Sequence, residues 1–253
     1  MKRIWEFKQS ASPDTLDLYI YGDIEGDYFD WWTWEMKQSE TSAEFFRNEL
    51  AKYPDVKNIN LYVNSFGGLV DEAMAIRSQL MRHPAYVTGY VDGFACSAAT
   101  VILTGCDKVV MYSNAMQMIH NMWNVVAGNS KQLRKAADDM DVIMQGNRQA
   151  YLQKTGGKLT EEKLIEMLDA ETWLTAKQCL ELGLCDEIYE QETDLGKAKQ
   201  MLQKYNQSLD QQLTYHKALV AQYKEYSGIQ HKAPSEKDNK LKLFAAWNRK
   251  EGV

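Results

Sequence analysis

The chain has 253 residues, 45% hydrophobic and 25% charged, enough for one substantial core with an appendage given the usual domain size of about 100–200 residues. Its formal charge of −6, with no Lys/Arg stripe interleaved with aromatics, argues against nucleic acid as a partner. No segment nears the roughly 20 apolar residues needed to cross a bilayer and no leader-like stretch opens the chain, so a cytoplasmic protein without a membrane partner is expected.

Residues 16–21 alternate as Leu-Asp-Leu-Tyr-Ile-Tyr and read as a strand closed by Gly22-Asp23. The tryptophans Trp31, Trp32 and Trp34 follow. Such a group is expected in a core or a subunit interface, and it is given no catalytic role. A helix is predicted from about Thr41, with Phe45, Phe46, Leu50 and Tyr53 at helical spacing until Pro54 stops it. Next come a strand over 56–63, the turn at Gly67-Gly68, and a helix over 70–81 carrying Ala73, Ile76 and Leu80. A strand over 86–91, a helix over 97–103 and a strand over 108–111 continue the alternation. Strands alternating with helices predict an α/β domain of right-handed crossover units.

Residues 130–154 are polar yet helix-compatible, with a narrow apolar stripe of Leu133, Ala137, Met140, Ile143 and Met144, as in a long projecting helix that Thr155-Gly156-Gly157 ends. A short helix begins at Thr160, residues 169–176 lead into another, and a closing strand is predicted near 186–189 after Gly183. The composition then shifts. Residues 191–253 carry 11 Lys/Arg against 7 Asp/Glu, and Leu195, Ala198, Leu202, Tyr205, Leu209, His216, Leu219 and Tyr223 follow an approximate helical spacing. Residues 227–240 read as a linker and 241–247 as a small apolar patch. The expected division is therefore a domain over 1–190 and a helical, partly flexible extension over 191–253.

Ser97 sits in Gly93-Phe94-Ala95-Cys96-Ser97-Ala98-Ala99-Thr100, flanked by small residues at the start of an apolar helical run. Small neighbours let a substrate approach, and a helix start aims free N–H groups at developing negative charge, so Ser97 is a candidate nucleophile, although serine also caps helices. The cysteines Cys96, Cys106, Cys179 and Cys185 lack metal or redox spacing and read as reduced core residues. Cys96 is taken as packing because adjacent side chains point in different directions. His120 closes the apolar run Met118-Ile119-His120 and suits a general base, with core packing as its other reading. His83, His216 and His231 stand in loop or tail contexts and read as solvated.

Four blocks in order, Asn64-Ser65-Phe66-Gly67-Gly68, Gly93 to Ala98, Met118-Ile119-His120, and Glu171-Thr172-Trp173-Leu174-Thr175-Ala176 with Leu182-Gly183-Leu184, resemble the ClpP-type serine proteases (peptidase family S14). Within that family the chain is most similar to the head maturation proteases of tailed phages and prophages. The resemblance covers about residues 15–190. It implies a crotonase-like α/β fold of repeated ββα units in which the helix near 130–154 is the projecting handle. It places a nucleophile at Ser97, a base at His120, an acid at Glu171 with Asp169 in reserve, and oxyanion amides at Gly68 and Ala98. Glu171 stands where the family usually has aspartate, and Phe66 where it usually has proline. The resemblance further implies cleavage of polypeptides, here scaffold or capsid protein, by a homo-oligomer, usually a heptameric ring or double ring. It implies neither metal nor organic cofactor. An extended substrate would add as a strand near residues 121–127. Three other readings stay open: a housekeeping subunit fed by a Clp ATPase, a catalytically silent ring-forming assembly protein, and acyl-CoA chemistry on the related crotonase fold.

Overall fold

The computed structural model of the chain describes residues 4–10, 12–30 and 32–189. The extension expected over 191–253, its helix, linker and apolar patch, and Trp31 lie outside the described residues. The chain opens with an antiparallel pair, β1 (Ile4–Gln9) on β2 (Thr15–Tyr21), and β2 runs parallel to β5 (Asn58–Ser65). Between them lie a two-stranded hairpin, β3 (Tyr28–Asp30) with β4 (Glu35–Lys37), and helix α1 (Ala43–Leu50), whose Ser42 hydroxyl accepts from the Phe45 amide. Trp32 and Trp34 project from this hairpin, 95% and 73% exposed, so in the single chain they are not core residues.

Helix α2 (Val70–Arg82) follows β5 and leads to β6 (Tyr86–Cys96), then α3 (Ala98–Leu103), β7 (Lys108–Tyr112) and β8 (Met116–Ile119). The strand predicted over 86–91 runs on through Gly93 to Cys96; one edge pairs with β5, and the other edge serves two partners in turn. Its first part pairs with β7 (Thr88–Val91 against Lys108–Met111) and its last three residues pair with β8. The long helix is α4 (Ser130–Thr155), opened by a capping box of Asn129 and Gln132 and closed by Gly156 in the left-handed region. Then come α5 (Glu161–Asp169), β9 (Thr172–Thr175), α6 (Ala176–Leu182) and β10 (Glu187–Tyr189). β9 was expected as lead-in to a helix; it is a strand because it pairs antiparallel with β8.

The main sheet runs β1-β2-β5-β6-β7-β10, and alternation along each strand sends one set of side chains into the core. Leu16, Leu18 and Ile20, Ile59, Leu61 and Val63, and Val87 and Val91 join Phe46, Ile76 and Leu80 of the covering helices in one buried cluster. The opposite face carries tyrosines in register, Tyr62 stacking on Tyr19 at 4.8 Å and on Tyr90 at 5.1 Å. All four cysteines are buried and free.

Helix α4 is divided along its length. Met144, Asn147, Ala150, Tyr151 and Thr155 are buried, whereas Leu133, Val142 and Ile143 are exposed. The expected stripe is thus a packing face only from Met144 onward, and the first half projects. Among the described residues no helix is long and apolar enough to cross a membrane.

Candidate active site

β6 ends at Cys96 and α3 begins at Ala98, so Ser97 is the single residue on which the strand turns into the helix. It adopts φ 54 and ψ −125. Such a backbone suits glycine, and a side chain held there stores about 1–3 kcal/mol of strain. Two anchors hold it. The Ser97 amide donates to the Met118 carbonyl at 2.8 Å, and the Ser97 carbonyl accepts from the Thr100 amide at 2.9 Å and the Thr100 hydroxyl at 2.6 Å.

The anchor on Met118 lies in β8, whose next residue after Ile119 is His120. The His120 ring meets this serine, with Nε2 and Ser97 Oγ 2.7 Å apart. Ser97 and His120 are both half-buried. Burial holds the imidazole below its ordinary value of 6.5, partly offset by the negative charge of Glu171. The imidazole is therefore neutral at neutral pH.

Glu171 reaches this place through β9. Ile119 pairs with Thr172 at the end of the ladder, which sets His120 and Glu171 facing each other just beyond it. Glu171 also has a positive φ of 49. Among the described residues no hydrogen bond joins the imidazole to either candidate carboxylate. Asp169, the reserve acid, instead accepts from Asn121 Nδ2 at 2.7 Å on the surface.

The glycine turn lies against Ser97. A Cβ at Gly67 would stand 2.8 Å from Ser97 Cβ and 3.0 Å from the Ala98 nitrogen. The Gly67 amide donates to Ser65 Oγ at 3.0 Å, while no acceptor is found for the Gly68 or Ala98 amide among the described residues. Gly68 is exposed, and its need for glycine comes from a neighbouring backbone: a Cβ there would stand 2.0 Å from the Ile24 carbonyl oxygen. Residues 24 and 67–69 pair as short strands, with Ile24 donating to Gly67 O and Leu69 to Ile24 O, both at 2.9 Å. Phe66 packs on Phe94 at 5.6 Å, and Phe94 on Trp173 at 5.9 Å, an aromatic cluster beside the turn.

Cys96 is 3% exposed and its thiol is pushed up to about 12 by burial, which agrees with a packing role. His83 is only partly exposed: Nδ1 accepts from the Ala85 amide and Nε2 faces the Tyr53 carbonyl, each at 3.2 Å. Sequence reasoning missed the roles of Ser65, which accepts from the Gly67 amide, of Thr100, which bonds the Ser97 carbonyl and Tyr151, and of Asn121, which donates to Asp169 across 48 positions.

A model of the Clp protease family matches residues 45–192. The ATP-dependent Clp protease proteolytic subunit 2 of Mycolicibacterium paratuberculosis is 28% identical over 141 residues, 55% of this chain and 70% of that protein.

Proposed function

Because this chain belongs to the Clp protease family, we propose that it is a serine endopeptidase working through Ser97, His120 and Glu171. The observation that carries this reading is the 2.7 Å approach of His120 Nε2 to Ser97 Oγ. Acyl transfer from a peptide needs a hydroxyl whose proton is taken as it attacks, and a neutral imidazole at that distance can take it. The proton then passes to the leaving amine, and water repeats the cycle on the acyl-enzyme. The Gly68 and Ala98 amides receive the oxyanion of the tetrahedral intermediate, and Glu171 stabilises the imidazolium.

Treating the full chain with a fluorophosphonate and mapping the adduct is the direct test. Labelling at Ser97 that vanishes in Ser97→Ala is expected. A folded protein inert to the probe would favour the silent assembly reading.

The pH profile of that labelling discriminates the acids. Only neutral His120 can act as base, so the rate rises with pH and levels off, with a midpoint below the ordinary 6.5. Glu171 raises the imidazole, so Glu171→Gln is expected to shift the midpoint to lower pH and reduce the plateau by about 10²–10⁴-fold. Asp169→Asn should alter neither. A midpoint that moves only in Asp169→Asn would transfer the role to that residue.

For the substrate, we propose scaffold or capsid polypeptides cleaved during phage head maturation by a ring of copies of this chain. The four sequence blocks and the compositional shift after residue 191 support it. The second reading, a subunit fed by a Clp ATPase, is favoured by the likeness to the Mycolicibacterium protein, an ATP-dependent Clp protease proteolytic subunit. Proteolysis of an unfolded protein that depends on a Clp ATPase and ATP would decide for the second.

A further inference from the structure

We propose that Thr100 and Tyr151 are positioning residues that hold and polarise the peptide unit between Ser97 and Ala98, tuning the Ala98 amide as an oxyanion donor. This rests on the reading of Ser97 as nucleophile.

The Ser97 carbonyl and the Ala98 N–H belong to one peptide group. That carbonyl accepts twice from a single residue, from the Thr100 amide at 2.9 Å and the Thr100 hydroxyl at 2.6 Å. The Thr100 oxygen also lies 2.5 Å from the Tyr151 hydroxyl. A threonine hydroxyl has one proton. With that proton on the Ser97 carbonyl, the Tyr151 O–H is the donor in the second contact. The result is a directed chain, from Tyr151 O–H to Thr100 Oγ1 and from Thr100 O–H to Ser97 C=O, ending at the Ala98 N–H.

Both side chains are enclosed. Thr100 is 1% and Tyr151 2% exposed, so water does not compete for these bonds. Donors on a carbonyl draw charge along its amide and make the N–H at the other end a stronger donor, and successive bonds reinforce one another in a low-dielectric interior. The same bonds fix the direction of the Ala98 N–H at a residue whose backbone is strained. Tyr151 stands in the buried half of α4, so the seat of the projecting helix is joined by two hydrogen bonds to the proposed oxyanion site.

Saturation kinetics of fluorophosphonate labelling on the full chain test this, because the phosphonyl oxygen occupies the oxyanion position. Thr100→Val, which keeps the shape and removes the hydroxyl, is expected to lower the limiting rate about tenfold with the apparent affinity and pH midpoint unchanged. Thr100→Ser should recover most of that rate. Tyr151→Phe should lower it about two- to threefold in the same pattern. Thermal melts establish that each variant is folded, and if Thr100→Val does not fold, Thr100→Ser and Tyr151→Phe carry the comparison. Folded variants that label as wild type overturn the inference, as does a shifted pH midpoint, which would mean that the His120 pair had been disturbed instead. Wild type that fails to label at Ser97 overturns the nucleophile reading and this inference together.

Discussion

Ser97→Gly is expected to melt above the wild type while losing peptidase turnover by on the order of 10⁵–10⁶-fold. The two effects have one source. At φ 54 and ψ −125 the Ser97 Cβ crowds its own backbone, and relief of that crowding is worth about 1–3 kcal/mol, less about 0.5–1 kcal/mol for the freer unfolded glycine. Ser97→Ala loses the same turnover but keeps the Cβ, so it should show no such gain. Melting curves of the two variants beside wild type check this. A glycine variant that melts below the alanine variant would show that no strain is held at this turn.

Gly68→Ala is expected to be among the most damaging single-methyl additions in the chain, although Gly68 is exposed. The new Cβ would lie 2.0 Å from the Ile24 carbonyl oxygen and 2.8 Å from the Ile24 nitrogen, both backbone atoms, and the φ of +148 disfavours any side chain. Relief requires residue 24 and the turn to separate, which gives up two hydrogen bonds and displaces the Gly68 amide. A loss of about 3 kcal/mol or more is expected, or about 6–12 °C in Tm, together with loss of labelling at Ser97. Gly156→Ala is the control. A Cβ there meets nothing within 4 Å, so it should lose only the left-handed penalty of about 1–2 kcal/mol and leave labelling intact. Equal losses in the two variants would mean that conformation alone, not the contact with Ile24, sets the requirement for glycine.

The central strands and their helices were legible because their signals are local. Apolar alternation in β2, the turn after β5 and the capping residues Ser42 and Thr160 each work within a few residues. The elements that escaped depend on distant partners. β1 is an edge strand whose Trp-Glu-Phe-Lys alternation means little until β2 lies beside it. β9 has four residues and owes its extension to β8, some 55 positions earlier by its register with Met116–Ile119. The continuation of β6 through Gly93 was hidden because a glycine there reads as a break, whereas β8 supplies the pairing that carries the strand on. On α4 the periodicity was real, but spacing cannot say where along the stripe packing begins. At the site, the approach of Ser97 to His120 followed from the ordered blocks. The hold of Asn121 on Asp169 was not legible, because it joins residues 48 positions apart.

α4 is held like a beam clamped at one end. Its 26 residues extend about 39 Å, yet the clamp begins only at Met144. The stretch before it is shorter than or close to the roughly 12–15 residues at which a free helix becomes marginal in water, so it persists by growing from the clamped part and by its capping box. Sideways deflection at the root, where Tyr151 sits, is resisted by core packing, while the stretch before Met144 has no buried residue to resist it. A load on the exposed stretch is therefore felt mainly at its root.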